Sequence, residues 1–226
     1  MENSNTLHND LPLHYMAFTA AELINKPLII LLHGYGSNEE DLFGIRNDLI
    51  EGYTYLSVRA PMTIRQGSYQ WFSLQMPLAG TNEVFKQIQN HTKILEDFII
   101  AASKKYKTSS ENIILIGFSQ GAIMSYELAL KSPTSVKGIA ALSGRISPSL
   151  LSEITPSMNL ENLSIFIGHG TKDDRISVKE AITANDILTK TSITPEFHTY
   201  EGLGHSISED ELNDIRQWLL KTLTMI

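Results

Sequence analysis

The chain of 226 residues contains no cysteine. It can therefore form no disulfide bond, use no thiolate nucleophile and bind no metal through cysteine. Its first residues are polar and lack the basic and apolar segments of a secretory signal. Both observations suit a reducing compartment, and we expect a cytoplasmic protein.

Long apolar runs and dense positive charge are also missing. No stretch reaches the roughly 18 consecutive apolar residues of a transmembrane helix, so no membrane span is expected. Acidic residues outnumber basic ones by 25 to 18, which gives a formal net charge of −7. The densest basic cluster is Lys104, Lys105 and Lys107. The chain is acidic and has little clustered positive charge, which argues against a nucleic-acid partner.

The composition that remains is typical of a folded domain. Hydrophobic residues make up 42% of the chain and charged residues 19%, which provides a core and argues against disorder. The length predicts one domain over residues 1–226, with residues 1–12 as a polar N-terminal extension. The sequence leaves open whether this domain is a monomer or a homodimer.

Strand-like and helix-like segments alternate along the chain. Apolar runs that end at turn residues predict strands over 13–18, 28–32, 53–58, 113–116, 136–142, 164–167 and 195–200. Helical spacing of apolar residues predicts helices over 39–50, 84–102, 120–130, 179–188 and 212–223. This alternation predicts an α/β fold, with a mostly parallel sheet of about seven strands and helices on both faces. The irregular segment 145–162 is either a lid or a long connection.

The pentapeptide Gly117-Phe118-Ser119-Gln120-Gly121 directly follows the predicted strand 113–116. It matches the G-x-S-x-G pattern, in which a strand turns sharply into a helix and the serine hydroxyl points out of the sheet. The turn strains the serine backbone, and the two glycines leave room where strand and helix nearly collide. This context favours a nucleophilic Ser119 over an ordinary loop serine.

A nucleophilic serine needs a base, which is usually a histidine oriented by a carboxylate. In this type of fold the order along the chain is serine, acid, histidine, with the acid and the histidine on loops after strands. His205 lies between the last predicted strand and the helix cap Ser208, so it is the candidate base. Asp173 and Asp174 are adjacent on the loop after strand 164–167, and both are candidate acids.

The reaction also needs backbone N–H groups that stabilise a developing oxyanion. The N–H of Gln120 is one candidate, because it lies at the start of a predicted helix. The N–H of Tyr35 is the other, because the glycines of loop 33–38 allow close approach of a substrate. The alternative is that this loop is only a flexible turn.

Other histidines and loops give no sign of a metal or a cofactor. His33, His169 and His205 lack a close metal-ligand spacing such as H-E-x-x-H, and no phosphate-binding glycine motif follows a strand. We interpret His169 as a loop-shaping residue bonded to the backbone, and His198 as a residue of the last strand. The sequence therefore predicts neither metal nor cofactor.

The motifs, in this order, resemble the phospholipase/carboxylesterase family of α/β-hydrolases, which includes bacterial carboxylesterases and acyl-protein thioesterases. The resemblance extends over roughly residues 13 to 223. It rests on residues 32–42, Trp71-Phe72, 117–121, 169–173 and Gly204-His205.

The resemblance implies an α/β-hydrolase fold with a triad of Ser119, Asp173 and His205, which selects Asp173 over Asp174. It also implies an oxyanion hole formed by the N–H groups of Tyr35 and Gln120, the two candidates named above.

Trp71 and Phe72 are implied to line the substrate pocket, with ordinary core packing as the alternative for Trp71. Ser73 departs from the resemblance, because family members often carry an acidic residue soon after the Trp-Phe pair. That departure bears on substrate preference and leaves the reaction class unchanged.

The implied function is hydrolysis of a small-molecule carboxylic ester, thioester or lysophospholipid through an acyl-enzyme, without a cofactor. A peptidase or amidase on the same fold is one alternative. A catalytically silent binding module is another, although a pure binder has no need of an intact Ser, Asp and His set. The sequence does not distinguish ester from thioester, nor the length of the acyl chain.

Overall fold

The computed structural model describes residues 6–22, 24–74, 82–155, 158, 160–191 and 193–224. The strands are β1 (Leu7–His8), β2 (Tyr15–Phe18), β3 (Leu28–Leu32), β4 (Thr54–Val58), β5 (Met62–Arg65), β6 (Ser68–Gln70), β7 (Ile113–Phe118), β8 (Gly138–Leu142), β9 (Ser164–Gly170) and β10 (Glu196–Tyr200). The helices are α1 (Asn82–Lys105), α2 (Gln120–Lys131), α3 (Pro148–Leu151), α4 (Val178–Thr189) and α5 (Glu209–Thr224), with short 3₁₀ helices at Leu42–Asn47 and Ser110–Asn112.

The main sheet has eight strands in the order β1-β2-β4-β3-β7-β8-β9-β10. The pairs β1–β2 and β2–β4 are antiparallel, and all other neighbours in this sheet are parallel. Strand order reverses on either side of β3, as in open α/β sheets that bind ligands at the carboxyl ends of their strands. The sheet confirms the predicted fold class.

Alternate side chains of the buried strands pack into two separate cores. In β3, Leu28, Ile30 and Leu32 join the core under helices α1 to α4, whereas Ile29 and Leu31 join the core under α5 and the first 3₁₀ helix. All five residues of β3 are almost completely buried. A strand that is covered on both faces consists of consecutive apolar residues, which is why β3 could be predicted from the sequence.

Seven strands of the main sheet coincide with the seven predicted ones. The eighth is β1, whose Leu7 and His8 pair with Met16 and Tyr15. Residues 7 and 8 of the predicted N-terminal extension therefore belong to the sheet edge. Residues 1–5 of that extension lie outside the described residues.

The helix predicted over residues 39–50 is wrong in type and length. The structure has a 3₁₀ helix over Leu42–Asn47 instead. Gly44 in its middle and the Asn47-Asp48 pair at its end are poor helix formers. The segment is also tied to its neighbours, because the Asn38 amide donates to the carbonyl of Gly67.

The irregular segment 145–162 contains the short helix α3. Ile146 and Leu150 are buried and belong to the core under α1 and α2. This burial favours a connection packed on the core over a lid, in the described part of the segment. Residues 156, 157 and 159 lie outside that part.

No helix within the described ranges is long and apolar enough to cross a membrane.

Candidate active site

Ser119 lies in the turn between β7 and α2 with φ of 56° and ψ of −112°. A non-glycine residue rarely adopts this conformation, which is the strain expected of a nucleophile elbow. The Ser119 N–H donates to the carbonyl of Leu142 at 2.9 Å and ties the turn to the end of β8. A Cβ atom on Gly121 would lie 1.9 Å from the Leu32 carbonyl oxygen, so only glycine allows α2 to approach β3 this closely.

His205 connects Ser119 to Asp173. Its Nε2 lies 3.0 Å from Ser119 Oγ, and its Nδ1 lies 2.7 Å from Asp173 Oδ2. A carboxylate only accepts, so Nδ1 carries the proton in this pair and Nε2 is left free to accept the serine proton. Ser119, Asp173 and His205 lie on three loops, which follow the carboxyl ends of β7, β9 and β10 respectively.

Asp173 is held as a carboxylate. Burial alone would raise its pKa, but the hydrogen bond from His205 and those from the backbone N–H groups of Ile176 and Arg175 together lower the pKa below its usual value. Both backbone N–H groups donate to Oδ1 at 2.9 Å. Asp174, the other candidate from the sequence, is exposed and lies outside this network.

His169 is a second histidine in contact with the same carboxylate. It is completely buried, and its Nε2 lies 2.7 Å from the carbonyl of Ile176 and 3.2 Å from Asp173 Oδ2. His169 lies within β9 and not in the loop, but its contact with the backbone of Ile176 supports the predicted role in shaping that loop. The contact with Asp173 was not predicted, because a contact between the end of a strand and the loop that follows it leaves no sequence pattern.

Tyr35 lies in the cleft beside Ser119, in a loop held by buried polar groups. In buried His33, Nε2 accepts from the N–H of Ala60 at 3.0 Å and Nδ1 donates to the carbonyl of Gly34 at 2.7 Å. Burial lowers the pKa of His33, which keeps the ring neutral in this arrangement. The loop after β3 is therefore tied to the chain around it by buried hydrogen bonds.

The β5–β6 hairpin supports the same loop, and the sequence did not predict it. The N–H of Gly36 donates to the carbonyl of Tyr69, and the N–H of Tyr69 donates to the carbonyl of Ser37, each at 2.8 Å. Within the part of the chain that the structure describes, the N–H groups of Tyr35 and Gln120 donate to no protein acceptor. Both remain available to a ligand in the cleft.

The side chain of Gln120 connects the elbow to the predicted Trp71-Phe72 segment. Its Oε1 accepts from the N–H of Trp71 at 2.9 Å, and its Nε2 donates to the carbonyl of Phe72 at 2.8 Å. Phe72 lines the cleft. Trp71 is completely buried behind it, and its indole N–H donates to the carbonyl of His33 at 3.0 Å. This placement agrees with the packing alternative for Trp71.

A cleft of about 520 Å³ opens above these residues. Its wall combines Ser119, His205 and Tyr35 with apolar side chains of Phe72, Leu74 and Ile123 and with four charged side chains, Asp41, Arg145, Arg175 and Glu180. A second hollow of about 610 Å³ lies near Asn25 and Asn162, before the amino ends of the strands, and contains none of the predicted site residues. The cleft at the carboxyl ends is the candidate active site.

The part of the chain that the structure describes contains no cluster of three or more His, Asp or Glu side chains that could hold a metal ion.

The fold and the arrangement of Ser119, His205 and Asp173 define an α/β-hydrolase of the serine type. The chain belongs to the phospholipase/carboxylesterase family, whose model matches residues 14–223. This membership confirms the resemblance found in the sequence and the prediction of an ester-hydrolysing enzyme.

Individual relatives agree with the family. The chain is 29% identical over 215 residues to acyl-protein thioesterase 1 of Candida albicans, covering 86% of this chain and 91% of that protein. It is 27% identical over 215 residues to carboxylesterase SOBER1 of Arabidopsis thaliana, covering 88% and 91%. The crystal structure of the Bacillus cereus carboxylesterase superposes with a TM-score of 0.79 at 25% identity, covering 92% of this chain and 93% of that one.

Proposed function

We propose that Ser119, His205 and Asp173 are the catalytic triad of a cofactor-independent hydrolase of small-molecule carboxylic esters or thioesters. The observation that carries this proposal is the continuous pair of contacts from Ser119 Oγ to His205 and from His205 to Asp173. The names of the relatives, which include a carboxylesterase and an acyl-protein thioesterase, support an ester or thioester as the substrate.

The reaction follows from the geometry. Ser119 Oγ attacks the ester carbonyl carbon while His205 Nε2 takes its proton, and the oxyanion accepts hydrogen bonds from the N–H groups of Tyr35 and Gln120. When the tetrahedral intermediate collapses, His205 gives the proton to the leaving alcohol or thiol. Water then attacks the acyl-enzyme, again losing a proton to His205, and the carboxylic acid is released with Ser119 restored.

The roles of the neighbouring residues follow from their positions. Asp173 keeps the Nδ1 proton on His205 and stabilises the imidazolium that forms during each step. Phe72 supplies an apolar wall for the acyl or alcohol part of the substrate. Trp71 supports that wall from behind.

Ser119→Ala tests the proposal directly. We expect hydrolysis of 4-nitrophenyl butyrate to fall to near the uncatalysed rate, with unchanged circular dichroism. Ser125→Ala is the matched control, because Ser125 lies on the same helix, is buried, and bonds to the carbonyl of Gly121 outside the cleft. A fluorophosphonate probe should label wild type and Ser125→Ala but not Ser119→Ala. Retained turnover in Ser119→Ala would reject the assignment.

Two substrate comparisons separate the alternatives from the proposal. Faster turnover of a 4-nitroanilide than of the matched 4-nitrophenyl ester would indicate an amidase or peptidase. No turnover and no labelling would indicate a binding module. A panel of esters and thioesters of increasing acyl length then defines the preference, although hydrophobic pockets discriminate only about 10- to 200-fold per methylene. A cytoplasmic location remains a prediction, and the choice between monomer and homodimer stays open.

A further inference from the structure

Two arginines line the cleft that holds Ser119 and His205, and the proposed ester hydrolysis does not use them. Arg145 and Arg175 are both exposed. Neither side chain makes a hydrogen bond or ion pair with any residue that the structure describes. Their charge is therefore available to a molecule in the cleft.

Most other arginines of the chain are already engaged. Arg46 donates to the carbonyl of Phe43, Arg59 forms a two-pronged pair with Glu39, and Arg216 donates to Asn213. Arg65 on β5 is exposed and lies outside the cleft. Among the described residues, Arg145 and Arg175 are thus arginines without a protein partner that line the cleft beside Ser119, in a chain whose formal net charge is −7.

The backbone places each arginine next to a member of the proposed triad. Arg145 follows Gly144, where a Cβ atom would lie 3.5 Å from the carbonyl oxygen of Ser119. The backbone N–H of Arg175 donates to Asp173 Oδ1 at 2.9 Å. The loops after β8 and β9 therefore bring both arginines to the wall of the cleft that holds Ser119.

Two carboxylates share the wall with these arginines. Asp41 accepts a hydrogen bond from the hydroxyl of Ser37 at 2.5 Å. Among the described contacts, neither Asp41 nor Glu180 lies within ion-pair distance of Arg145 or Arg175. Neither arginine is paired with these carboxylates in the described contacts, so an anionic group on a ligand has two planar donors to bind.

We propose that Arg145 and Arg175 bind a carboxylate or phosphate group of the substrate, so that the enzyme prefers acidic esters. This inference rests on the proposed ester hydrolysis. The ester carbonyl would lie at Ser119, the apolar linker against Phe72 and Leu74, and the anion between the two guanidinium groups. Guanidinium groups bind both anions in a two-pronged geometry that an ammonium cannot reproduce.

Two matched pairs of substrates test the preference and distinguish the two anions. 4-Nitrophenyl hydrogen adipate and 4-nitrophenyl hexanoate have acyl chains of equal length and differ in a terminal carboxylate. 1-Hexanoylglycerol 3-phosphate and 1-hexanoylglycerol differ in a phosphate. We expect kcat/KM to be at least ten-fold higher for the acidic member of one pair, which identifies the anion.

The variants Arg145→Ala and Arg175→Ala should each lower kcat/KM for that acidic ester about ten-fold, mainly through a higher KM. For 4-nitrophenyl hexanoate, kcat/KM of each variant should stay within about two-fold of the wild-type value. Arg65→Ala is the matched control and should leave kcat/KM unchanged for both the acidic ester and 4-nitrophenyl hexanoate. Arg175→Lys should give an intermediate KM, and added salt should raise the KM of the acidic ester alone.

The inference is overturned if neither acidic ester is preferred, or if the arginine variants slow hexanoate as much as the acidic ester. Failure of the proposed function gives a different result, because wild type would then hydrolyse none of the four esters or Ser119→Ala would still hydrolyse them. Hexanoate turnover that depends on Ser119, without any acidic preference, rejects the anion site alone.

Discussion

Ser119 combines its proposed role as the nucleophile with an unfavourable backbone conformation. At φ of 56° and ψ of −112°, a side chain costs on the order of 1–3 kcal/mol. Contacts on both sides of the turn hold it there, including the bond from Ser119 N–H to the carbonyl of Leu142. The turn directs the hydroxyl towards His205, so the proposed nucleophile is held in place at a cost in stability.

Replacing Ser119 separates strain from chemistry. We expect Ser119→Gly to be more stable than Ser119→Ala by about 1 kcal/mol in urea unfolding, because glycine adopts positive φ without a steric cost. The gain is reduced by the greater freedom of glycine in the unfolded chain. Both variants should be inactive. An alanine variant as stable as the glycine variant would contradict strain at this turn.

Asp173 and Asp174 provide a matched pair on one loop. The side chain of Asp173 is buried and bonded to His205, whereas Asp174 is exposed. We expect Asp173→Asn to lower kcat by roughly 10³-fold or more, because an amide can donate to Nδ1 and favour the wrong histidine tautomer. Asp174→Asn should stay within about two-fold of wild type. Steady-state kinetics on one ester decides between them, and equal losses would argue against the assignment of Asp173.

At the scale of elements, the contact between β7, α2 and β3 decides where Ser119 lies. Gly117 and Gly121 make this contact possible, since a Cβ atom on Gly117 would lie 2.3 Å from the carbonyl oxygen of Gly121. The neighbouring atoms are backbone, which cannot move aside as a flexible side chain can. The helix and strand must therefore separate if either glycine acquires a side chain.

Gly121→Ala tests this contact. A Cβ atom there would lie 1.9 Å from the Leu32 carbonyl oxygen, so we expect a loss of about 3 kcal/mol or more in urea unfolding and loss of activity in any folded fraction. Gly44→Ala is the control, because a Cβ atom there would meet no atom within 4 Å beyond its own stretch of backbone. It should change stability by less than about 1 kcal/mol. Similar stability of the two variants would refute a tight β3–α2 contact.

The elements show which patterns in the sequence carry structural information. Buried parallel strands such as β3 and β7 are continuous apolar runs, and their predicted positions agree with the structure. The β5–β6 hairpin escaped prediction because its strands have four and three residues, too few for a periodic pattern. The first 3₁₀ helix was predicted as an α-helix because spacing alone does not register the effect of Gly44.

For the whole molecule, a buried acid links folding to pH. Glu211 on α5 is completely buried, and its carboxylate oxygens have no hydrogen-bond partner among the described residues. Burial raises the pKa of Glu211 to about 8; the backbone of Ser208 opposes this shift, and the charge of Asp214 adds a smaller increase. The folded protein therefore keeps a proton on Glu211 that the unfolded chain releases.

Because the folded-state pKa of Glu211 exceeds its ordinary value of 4.5, its contribution to stability is complete below about pH 4.5 and is lost as the pH rises towards 8. We expect Glu211→Gln to be more stable than wild type at pH 9 by on the order of 2–4 kcal/mol, and similar to it at pH 5. Urea unfolding at both pH values measures this.

Glu209→Gln is the control for that measurement, since Glu209 is exposed in the same first turn of α5. Its stability relative to wild type should change little between pH 5 and pH 9. A Glu211→Gln difference that does not depend on pH would mean that Glu211 is ionised in the folded state.

The sequence by itself determined the order of strands and helices, the elbow around Ser119 and the position of His205 on the last loop. These features depend on residues that are neighbours in the sequence, through apolar periodicity and turn chemistry. They can therefore be predicted from the sequence alone. It left Asp173 and Asp174 equivalent until the family resemblance was considered, because adjacent aspartates differ only in where their side chains point.

Only the tertiary structure decided which side chains meet. It joined Ser119 to His205 across 86 residues, turned the Gln120 side chain onto the Trp71-Phe72 segment, and brought Arg145 and Arg175 into one cleft. Such contacts depend on strand order and on the length of every intervening connection. Hydrogen bonds and ion pairs act over a few ångströms, so their partners are set by the folded chain and not by proximity along it.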